Sequence, residues 1–248
     1  MRQELAGLHC AREALRARRR ALHRLRLREG DPRPEFAELE SLAAAAGVAV
    51  EPASAEELAR AAGSGVSHQG VVLECGALPE LPLAELAGPG AAPRTLVALD
   101  GVEDPQNLGA IARVAEAAGA AGLVLTQRRS APLGPAVARA SAGAIEWLPV
   151  SRVVNLARAL RELQAAGFWV FGAEPEAGED LFALDARVVR GSRVVLLGGE
   201  GSGLREGVGR VVDHWVKIPM GGRVASLNVS TAAAVVLFEL ARRDRAPA

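Results

Sequence analysis

The sequence predicts an α/β protein with a small N-terminal unit and a larger C-terminal unit built on a parallel sheet. Short apolar runs alternate with longer helical segments over residues 95–242, a pattern typical of a parallel sheet covered by helices on both faces. A proline-rich stretch at residues 79–94 precedes this alternation and is interpreted as a linker. With 248 residues, half of them hydrophobic, the chain can bury the core that such a fold needs.

The first 78 residues have the patterns of a small α/β unit. Strict alternation of apolar and charged residues from Arg24 to Arg28 predicts a half-buried strand. Ser54 and Glu57, three residues apart, have the spacing of a capping box and predict the start of a helix. The elements expected here are helices at 8–19, 35–46 and 55–62 and strands at 24–28, 48–50 and 71–73.

Beyond the linker, four apolar runs are too short for helices and are separated by helical segments. In parallel sheets ligands bind at the carboxyl ends of the strands, so the residues after each run are candidates for the site. The predicted domains are 1–78, a linker at 79–94, and 95–248. The elements expected in the second are strands at 96–99, 123–125, 169–171 and 194–197 and helices at 108–118, 135–142, 153–166 and 229–242.

The formal net charge is zero, but the charges are unevenly distributed. Residues 1–28 carry a net charge of +7, residues 29–94 carry −8, and residues 95–248 carry +1. A local basic block attracts phosphates whatever the total charge, although a solvated helix face remains the alternative interpretation.

Several classes of protein are excluded by composition. No apolar run approaches the roughly 20 residues that span a bilayer, so no membrane partner is expected. The arginine-rich start is not followed by the apolar stretch of a secretory signal. Only two cysteines are present, Cys10 and Cys75, which fits a reduced cytoplasmic protein.

The first polar cluster follows the predicted strand at 96–99. Asp104 and Pro105 predict the N-cap and first position of a helix that carries Asn107 and Arg113. A spacing of six residues places those two side chains about 120° apart around a helix, so they need not share a face. An arginine on this otherwise apolar helix either has a partner or extends from the rim to solvent.

Two further clusters follow later strands. The sequence GGEGSG at 198–203 fails the dinucleotide fingerprint G-x-G-x-x-G because Leu204 occupies its last position. Ser226 and Asn228 belong to a polar group at the start of the last helix, where a single N-cap would suffice. No histidine lies in the three clusters, so catalysis through a serine triad or a metal is not expected.

Together the clusters resemble the three signature motifs of the SpoU/TrmH family of ribose 2′-O-methyltransferases, in the SPOUT class. The N-terminal segments resemble the small RNA-binding domain, similar to ribosomal protein L30e, of the 23S rRNA guanosine methyltransferase subgroup. The segments that carry the resemblance are LDGVEDPQNLGAIARVAEAAG, LLGGEGSGL, KIPMGGRVASLNVSTAAAVVLFE, GLHCAREAL and SHQGVVLE.

The resemblance implies a trefoil-knotted fold, S-adenosylmethionine as methyl donor without a metal, and a homodimer in which each site is completed by the neighbouring copy. The implied substrate is a guanosine of 23S rRNA, with tRNA or another rRNA site as alternatives. A non-catalytic RNA-binding or ribosome-assembly protein and an oxidoreductase using the 198–203 loop also remain open. The residues implied are Asn107, Arg113, Glu200, Ser226 and Asn228 for catalysis, and Gly198, Gly199, Ile218 and Leu227 for the cofactor.

The residues suggest roles within this resemblance. Family proposals let the counterpart of Arg113 activate the ribose hydroxyl, but a guanidinium stays protonated below about pH 12 and has no acceptor atom. Arg113 is therefore expected to bind the adjacent phosphate and stabilise the developing alkoxide. Glu200 would orient Asn107 or Arg113. The expected RNA phosphate contacts of the N-terminal unit are Arg12, Arg16, Arg18, Arg19 and Arg20.

Overall fold

The alternating apolar runs of the sequence form a parallel sheet in the computed structural model of the chain. The structure describes residues 2–88, 93–174, 178–199 and 203–245. These residues divide into two units, one of residues 1–79 with 132–147 and the other of residues 80–131 with 148–248.

The first unit is built on a mixed sheet with the strand order β1-β4-β2-β3 within the described chain. Strand β4 is antiparallel to both β1 and β2, whereas β3 is parallel to β2. The predicted capping box is confirmed, because the Glu57 N–H donates to Ser54 Oγ and the Ser54 N–H donates to Glu57 Oε2. The elements are β1 (Gln3–Ala6), α1 (Leu8–Ala17), β2 (Leu22–Arg28), α2 (Pro34–Ala45), β3 (Ala49–Ala53), α3 (Ala55–Ala62) and β4 (Val71–Cys75).

Residues 132–147 pack with the first unit although they follow the predicted linker in sequence. The segment contains a helix (Pro135–Ala140), which is the sixth along the chain and is called α6, and a 3₁₀ turn (Ala144–Glu146). Arg20 Nε donates to Glu146 Oε2 at 2.7 Å and Arg20 Nη2 to Oε1 at 2.9 Å, and both side chains are 1% exposed. Because an unpaired buried charge is costly, this ion pair ties the segment to the unit.

The second unit contains a seven-stranded sheet in the described residues, with the order β7-β6-β5-β10-β8-β11-β9 and every neighbouring pair parallel. Alternate side chains of β10 point to opposite faces of the sheet. On one of these faces, Val194 and Leu196 pack with Leu156 and Leu160 of α7. The elements are α4 (Leu83–Ala87), β5 (Thr95–Asp100), α5 (Pro105–Ala117), β6 (Gly122–Thr126), β7 (Val150–Val153), α7 (Leu156–Ala165), β8 (Trp169–Ala173), β9 (Glu179–Asp180), α8 (Ala186–Val189), β10 (Arg193–Gly198), α9 (Glu206–Gly209), β11 (His214–Lys217) and α10 (Val229–Arg245).

Two sequence predictions need correction in this unit. The helix predicted over 153–166 begins only at Leu156, after the N-cap Asn155, and Val153 closes strand β7. Part of the predicted linker is helical, and Leu86 of α4 is buried in the core. The amphipathic pattern of such short segments is too brief to distinguish them from their surroundings.

The domain boundaries and the trefoil knot stay predictions. Among the described residues, no helix is both long and apolar enough to cross a membrane.

Candidate active site

A cavity of about 460 Å³ lies at the carboxyl ends of β8 and β10, where a parallel sheet places its ligands. The segment between β11 and α10 contributes several of its lining residues, and the volume of the cavity is within the range of small-molecule sites. Its lining residues are Ala173, Glu174, Leu197, Gly198, Gly199, Gly203, Val216, Ile218, Met220, Ser226, Leu227, Asn228, Val229 and Ala232.

The glycines of this cavity allow backbone segments to approach one another. A Cβ on Gly199 would lie 2.1 Å from the Gly101 carbonyl oxygen, and one on Gly198 would lie 2.4 Å from the carbonyl carbon of Gly203. The Gly199 N–H donates to the Asp100 carbonyl at 2.7 Å, and Gly199 also forms a β-bridge with Gly203. No larger residue fits at positions 198 and 199 without moving the backbone.

Asp100 binds Arg205, which follows the glycine-rich sequence 198–203 by two residues. Its carboxylate is fully buried at the end of β5 and accepts from the Arg205 N–H at 3.0 Å, Nε at 2.8 Å and Nη2 at 2.6 Å. The hydrogen bond with Asp100 raises the pKa of Arg205. Sequence reasoning missed both residues as site residues, although Asp100 is the first polar residue after its strand.

Asn107 and Asn228 are brought together across 121 positions of the chain. Asn228 Nδ2 donates to Asn107 Oδ1 at 3.0 Å, and Asn107 is buried near the start of α5. Asn228 Oδ1 accepts from the Ser230 N–H at 2.8 Å and from its hydroxyl at 2.6 Å, so Asn228 is also the cap of α10. Asn228, which lines the cavity, thus caps a helix and fixes the orientation of the Asn107 amide, which does not line the cavity.

The remaining predicted site residues lie in different places. Ser226, Ile218, Leu227, Gly198 and Gly199 line the cavity. Arg113 does not line it: the side chain is exposed on α5, without a hydrogen bond or ion pair to any described residue. The buried Asn107 and the exposed Arg113 occupy different faces, as their spacing predicts. Glu200 lies outside the described residues.

Glu174 is a cavity residue that sequence reasoning missed. It directly follows β8, and its N–H donates to the Val216 carbonyl at 3.0 Å. The expectation that polar groups follow the apolar runs could have found it, because it is the first polar residue after 169–171. Among the described residues, no group of His, Cys, Asp and Glu is arranged to hold a metal ion.

The arginines of the first unit are largely paired with acids. Arg12 and Arg16 both bind Glu38, at 3.0 Å and 2.7 Å. Arg18 is exposed and has no side-chain partner among the described residues, whereas Arg19 donates to the Glu146 carbonyl oxygen. Arg20 is buried against the Glu146 carboxylate, so it is not available as the predicted RNA phosphate contact.

Comparison with protein families identifies the larger unit. Residues 94–238 match the SpoU rRNA methylase family. The chain belongs to this family. Residues 5–81 match a second family model, described as the substrate-binding domain of RNA 2′-O ribose methyltransferases. As a SpoU methylase the chain is an RNA ribose 2′-O-methyltransferase, and the oxidoreductase alternative is wrong.

Similar proteins can be aligned with this SpoU methylase over nearly its whole length. The 23S rRNA (guanosine-2′-O-)-methyltransferase RlmB of Ralstonia nicotianae is 41% identical over 240 residues, covering 96% of this chain and 95% of the relative. RlmB of Pseudomonas aeruginosa is 38% identical over 244 residues, covering 97% and 96%. The structure resembles that of an AdoMet-bound rRNA methyltransferase from Sinorhizobium meliloti, with a TM-score of 0.80, 28% identity and coverage of 99% and 88%. The predicted SpoU/TrmH relationship and α/β fold are confirmed.

Proposed function

We propose that this SpoU methylase transfers the methyl group of S-adenosylmethionine to the 2′-oxygen of a guanosine ribose in 23S rRNA. The observation that carries the proposal is the similarity to the R. nicotianae enzyme, which is named for this reaction and matches almost end to end. The first unit would recognise the RNA, in keeping with its match to a substrate-binding domain.

The cavity has the properties that the methyl donor requires. Leu197, Val216, Ile218 and Leu227 offer apolar walls for an adenine ring, and the backbone around the glycines offers hydrogen-bonding groups. Glu174 adds a carboxylate that can accept from a hydroxyl or ammonium group. When bound, S-adenosylmethionine supplies an electrophilic methyl group on a sulfonium.

The chain's own residues orient the ribose. The Asn107–Asn228 hydrogen bond holds the Asn228 amide of the cavity wall and the Asn107 amide behind it in a fixed relation, so neither has to reorganise when the ribose arrives. Ser226, also at the cavity, offers a hydroxyl to the same substrate group. We assign the positioning of the 2′-hydroxyl to these three side chains.

Arg113 is assigned to the RNA phosphate and to the alkoxide that develops on the 2′-oxygen. Its guanidinium cannot remove the hydroxyl proton, because it is already protonated and has no acceptor. It can form two parallel hydrogen bonds with a phosphate. Its exposure, and the lack of a partner among the described residues, leave it available for this contact.

The position of Arg113 outside the cavity supports a homodimer in which a second copy provides this side chain. Helix α10, which packs on α5, exposes about half of Phe238, an apolar surface of the kind that a second copy would cover. As an rRNA-modifying enzyme the dimer would act in the cytoplasm.

A methyl-transfer assay tests the proposed reaction. Radiolabelled S-adenosylmethionine and unmodified large-subunit rRNA should give a labelled 2′-O-methylguanosine at one mapped position. Label in tRNA, or at another rRNA nucleotide, would replace the proposed substrate with one of the family alternatives. Cofactor binding without transfer to any RNA would favour a non-catalytic RNA-binding protein.

Mixing two inactive variants tests the shared site. The Arg113→Ala and Asn228→Ala chains are co-expressed in equal amounts, so that half of the dimers contain one chain of each kind. If the site is shared, each mixed dimer has one intact site of two, and about a quarter of wild-type activity should return. If both residues act within one copy, every mixed dimer has two damaged sites and no activity returns.

A further inference from the structure

Glu174 combines a fixed backbone position with a cavity carboxylate that has no hydrogen-bond or ion-pair partner among the described residues. Its N–H donates to the Val216 carbonyl, which continues the β8–β11 pairing and sets where the side chain starts. A Cβ on Gly203 would lie 3.6 Å from Glu174 Oε2, so the carboxylate faces Gly203.

No described residue pairs with this carboxylate, whereas two polar side chains in or near the cavity are bound within the protein. Asn228 binds Asn107 and Ser230, and the nearby Asp100 binds Arg205. A half-buried carboxylate beside apolar walls gains free energy when a ligand supplies hydrogen-bond donors.

The sheet order separates Glu174 from the helix that carries Asn107. Asn107 follows β5, on one side of β10, and Glu174 follows β8, on the other side. Adjacent strands are about 4.8 Å apart, so β5 and β8 are separated by about 10 Å. A ligand that places its transferable methyl near the Asn107–Asn228 pair therefore presents a more remote part to Glu174.

We infer that the Glu174 carboxylate accepts hydrogen bonds from a donor group of the bound methyl donor that is remote from the methyl. S-adenosylmethionine has three such groups, the hydroxyl pair of its ribose, the ammonium of its methionyl part and the 6-amino group of its adenine. Each offers at least two hydrogen-bond donors to one carboxylate. Glu174 would then determine affinity for the cofactor without taking part in methyl transfer. The inference rests on the proposed function, because it takes the cavity to be the cofactor site.

Isothermal titration of the full-length protein with S-adenosylhomocysteine tests the inference without measuring catalysis. Glu174→Gln keeps the shape of the side chain and removes its charge, and should raise the Kd about tenfold or more, as expected for the loss of a charge-assisted hydrogen bond. Glu162→Gln, which changes an exposed glutamate of α7, is the matched control and should leave the Kd unchanged. Thermal melts followed by circular dichroism establish that each variant is folded.

Analogues identify the donor group. The wild type is titrated with four forms of S-adenosylhomocysteine, which lack the ribose 2′-hydroxyl, the ribose 3′-hydroxyl, the α-amino group of the homocysteine part or the 6-amino group of the adenine. The analogue that lacks the contacted group should bind about tenfold more weakly to the wild type, and this penalty should disappear in Glu174→Gln.

The two possible failures are distinguishable. A variant that binds S-adenosylhomocysteine as the wild type does, or penalties that are equal in both proteins for every analogue, would overturn the role of Glu174 alone. A wild type that does not bind S-adenosylhomocysteine would reject the cofactor assignment and the inference together.

Discussion

Arg113 and the cavity residues have separable effects, because the arginine lies outside the cavity. We expect Arg113→Ala to lower the methyl-transfer rate by at least about 10²-fold, the usual effect of removing one stabilising donor from a developing oxyanion. The Kd of S-adenosylmethionine should stay within a few-fold, because no cavity wall changes. Single-turnover kinetics and calorimetry measure the two quantities.

Two controls accompany this variant. Arg113→Lys keeps the charge but loses the paired donors, so it should recover only part of the rate. Arg161→Ala removes an exposed arginine of α7 and should change neither quantity. A large loss of cofactor affinity in Arg113→Ala would make Arg113 a cofactor residue and contradict the assignment.

At the scale of elements, an ion pair joins the end of β5 to the residues that follow Gly203. Asp100→Asn removes the charge that holds Arg205 while keeping the side chain's size. We expect the Kd of S-adenosylmethionine to rise about tenfold, because Arg205, two residues from the cavity residue Gly203, loses a charge-assisted hydrogen bond. Calorimetry measures the affinity, and an unchanged Kd in a folded variant would show that the cavity does not depend on the Asp100–Arg205 pair.

The segment of residues 132–147 depends on one buried ion pair. Glu146→Gln leaves the buried Arg20 without its charge partner and should lower the free energy of unfolding by about 3 kcal/mol. Replacing both residues, as in Arg20→Met with Glu146→Leu, removes the uncompensated charge and should recover most of that loss. Urea unfolding measures both variants; equal losses would mean that packing, not charge, explains the cost.

At the scale of the whole molecule, the charge blocks that are separate in sequence are interleaved in space. Glu38 and Glu74, from the acidic block of residues 29–94, pair with Arg12, Arg16 and Arg24 of the basic block. The net charge of +7 over residues 1–28 therefore overstates the charge that RNA can meet. Arg18 is the predicted contact that is exposed and without a partner among the described residues.

RNA affinity should still depend on salt, because phosphate contacts release counterions. We expect log Kd to rise linearly with the logarithm of salt concentration, and Arg18→Ala to reduce the slope by about one. Arg158→Ala, which removes an arginine paired with Glu162, is the control and should leave the slope unchanged. Filter binding at several salt concentrations measures the slope, and a salt-independent affinity would contradict a phosphate-binding role for the first unit.

Strands with a continuous apolar run were predictable, and the short edge strands were not. The runs at 96–99 and 194–197 lie in β5 and β10, in the centre of the sheet, where both faces are buried and selection of apolar residues is strong. Strands β7, β9 and β11 lie nearer the edges and contain polar residues such as Ser151, Asp180 and Lys217. A four-residue strand of mixed polarity has no distinctive period.

The sequence by itself determined the family, the fold class and the polar clusters at strand ends, because these depend on residue types at short, fixed spacings. Only the tertiary structure decided which of those residues meet. It joined Asn107 to Asn228, placed Arg113 outside the cavity, buried Arg20 against Glu146 and put Glu174 inside the cavity. Such pairings link residues more than a hundred positions apart, and strand order and packing set them, which local spacing does not encode.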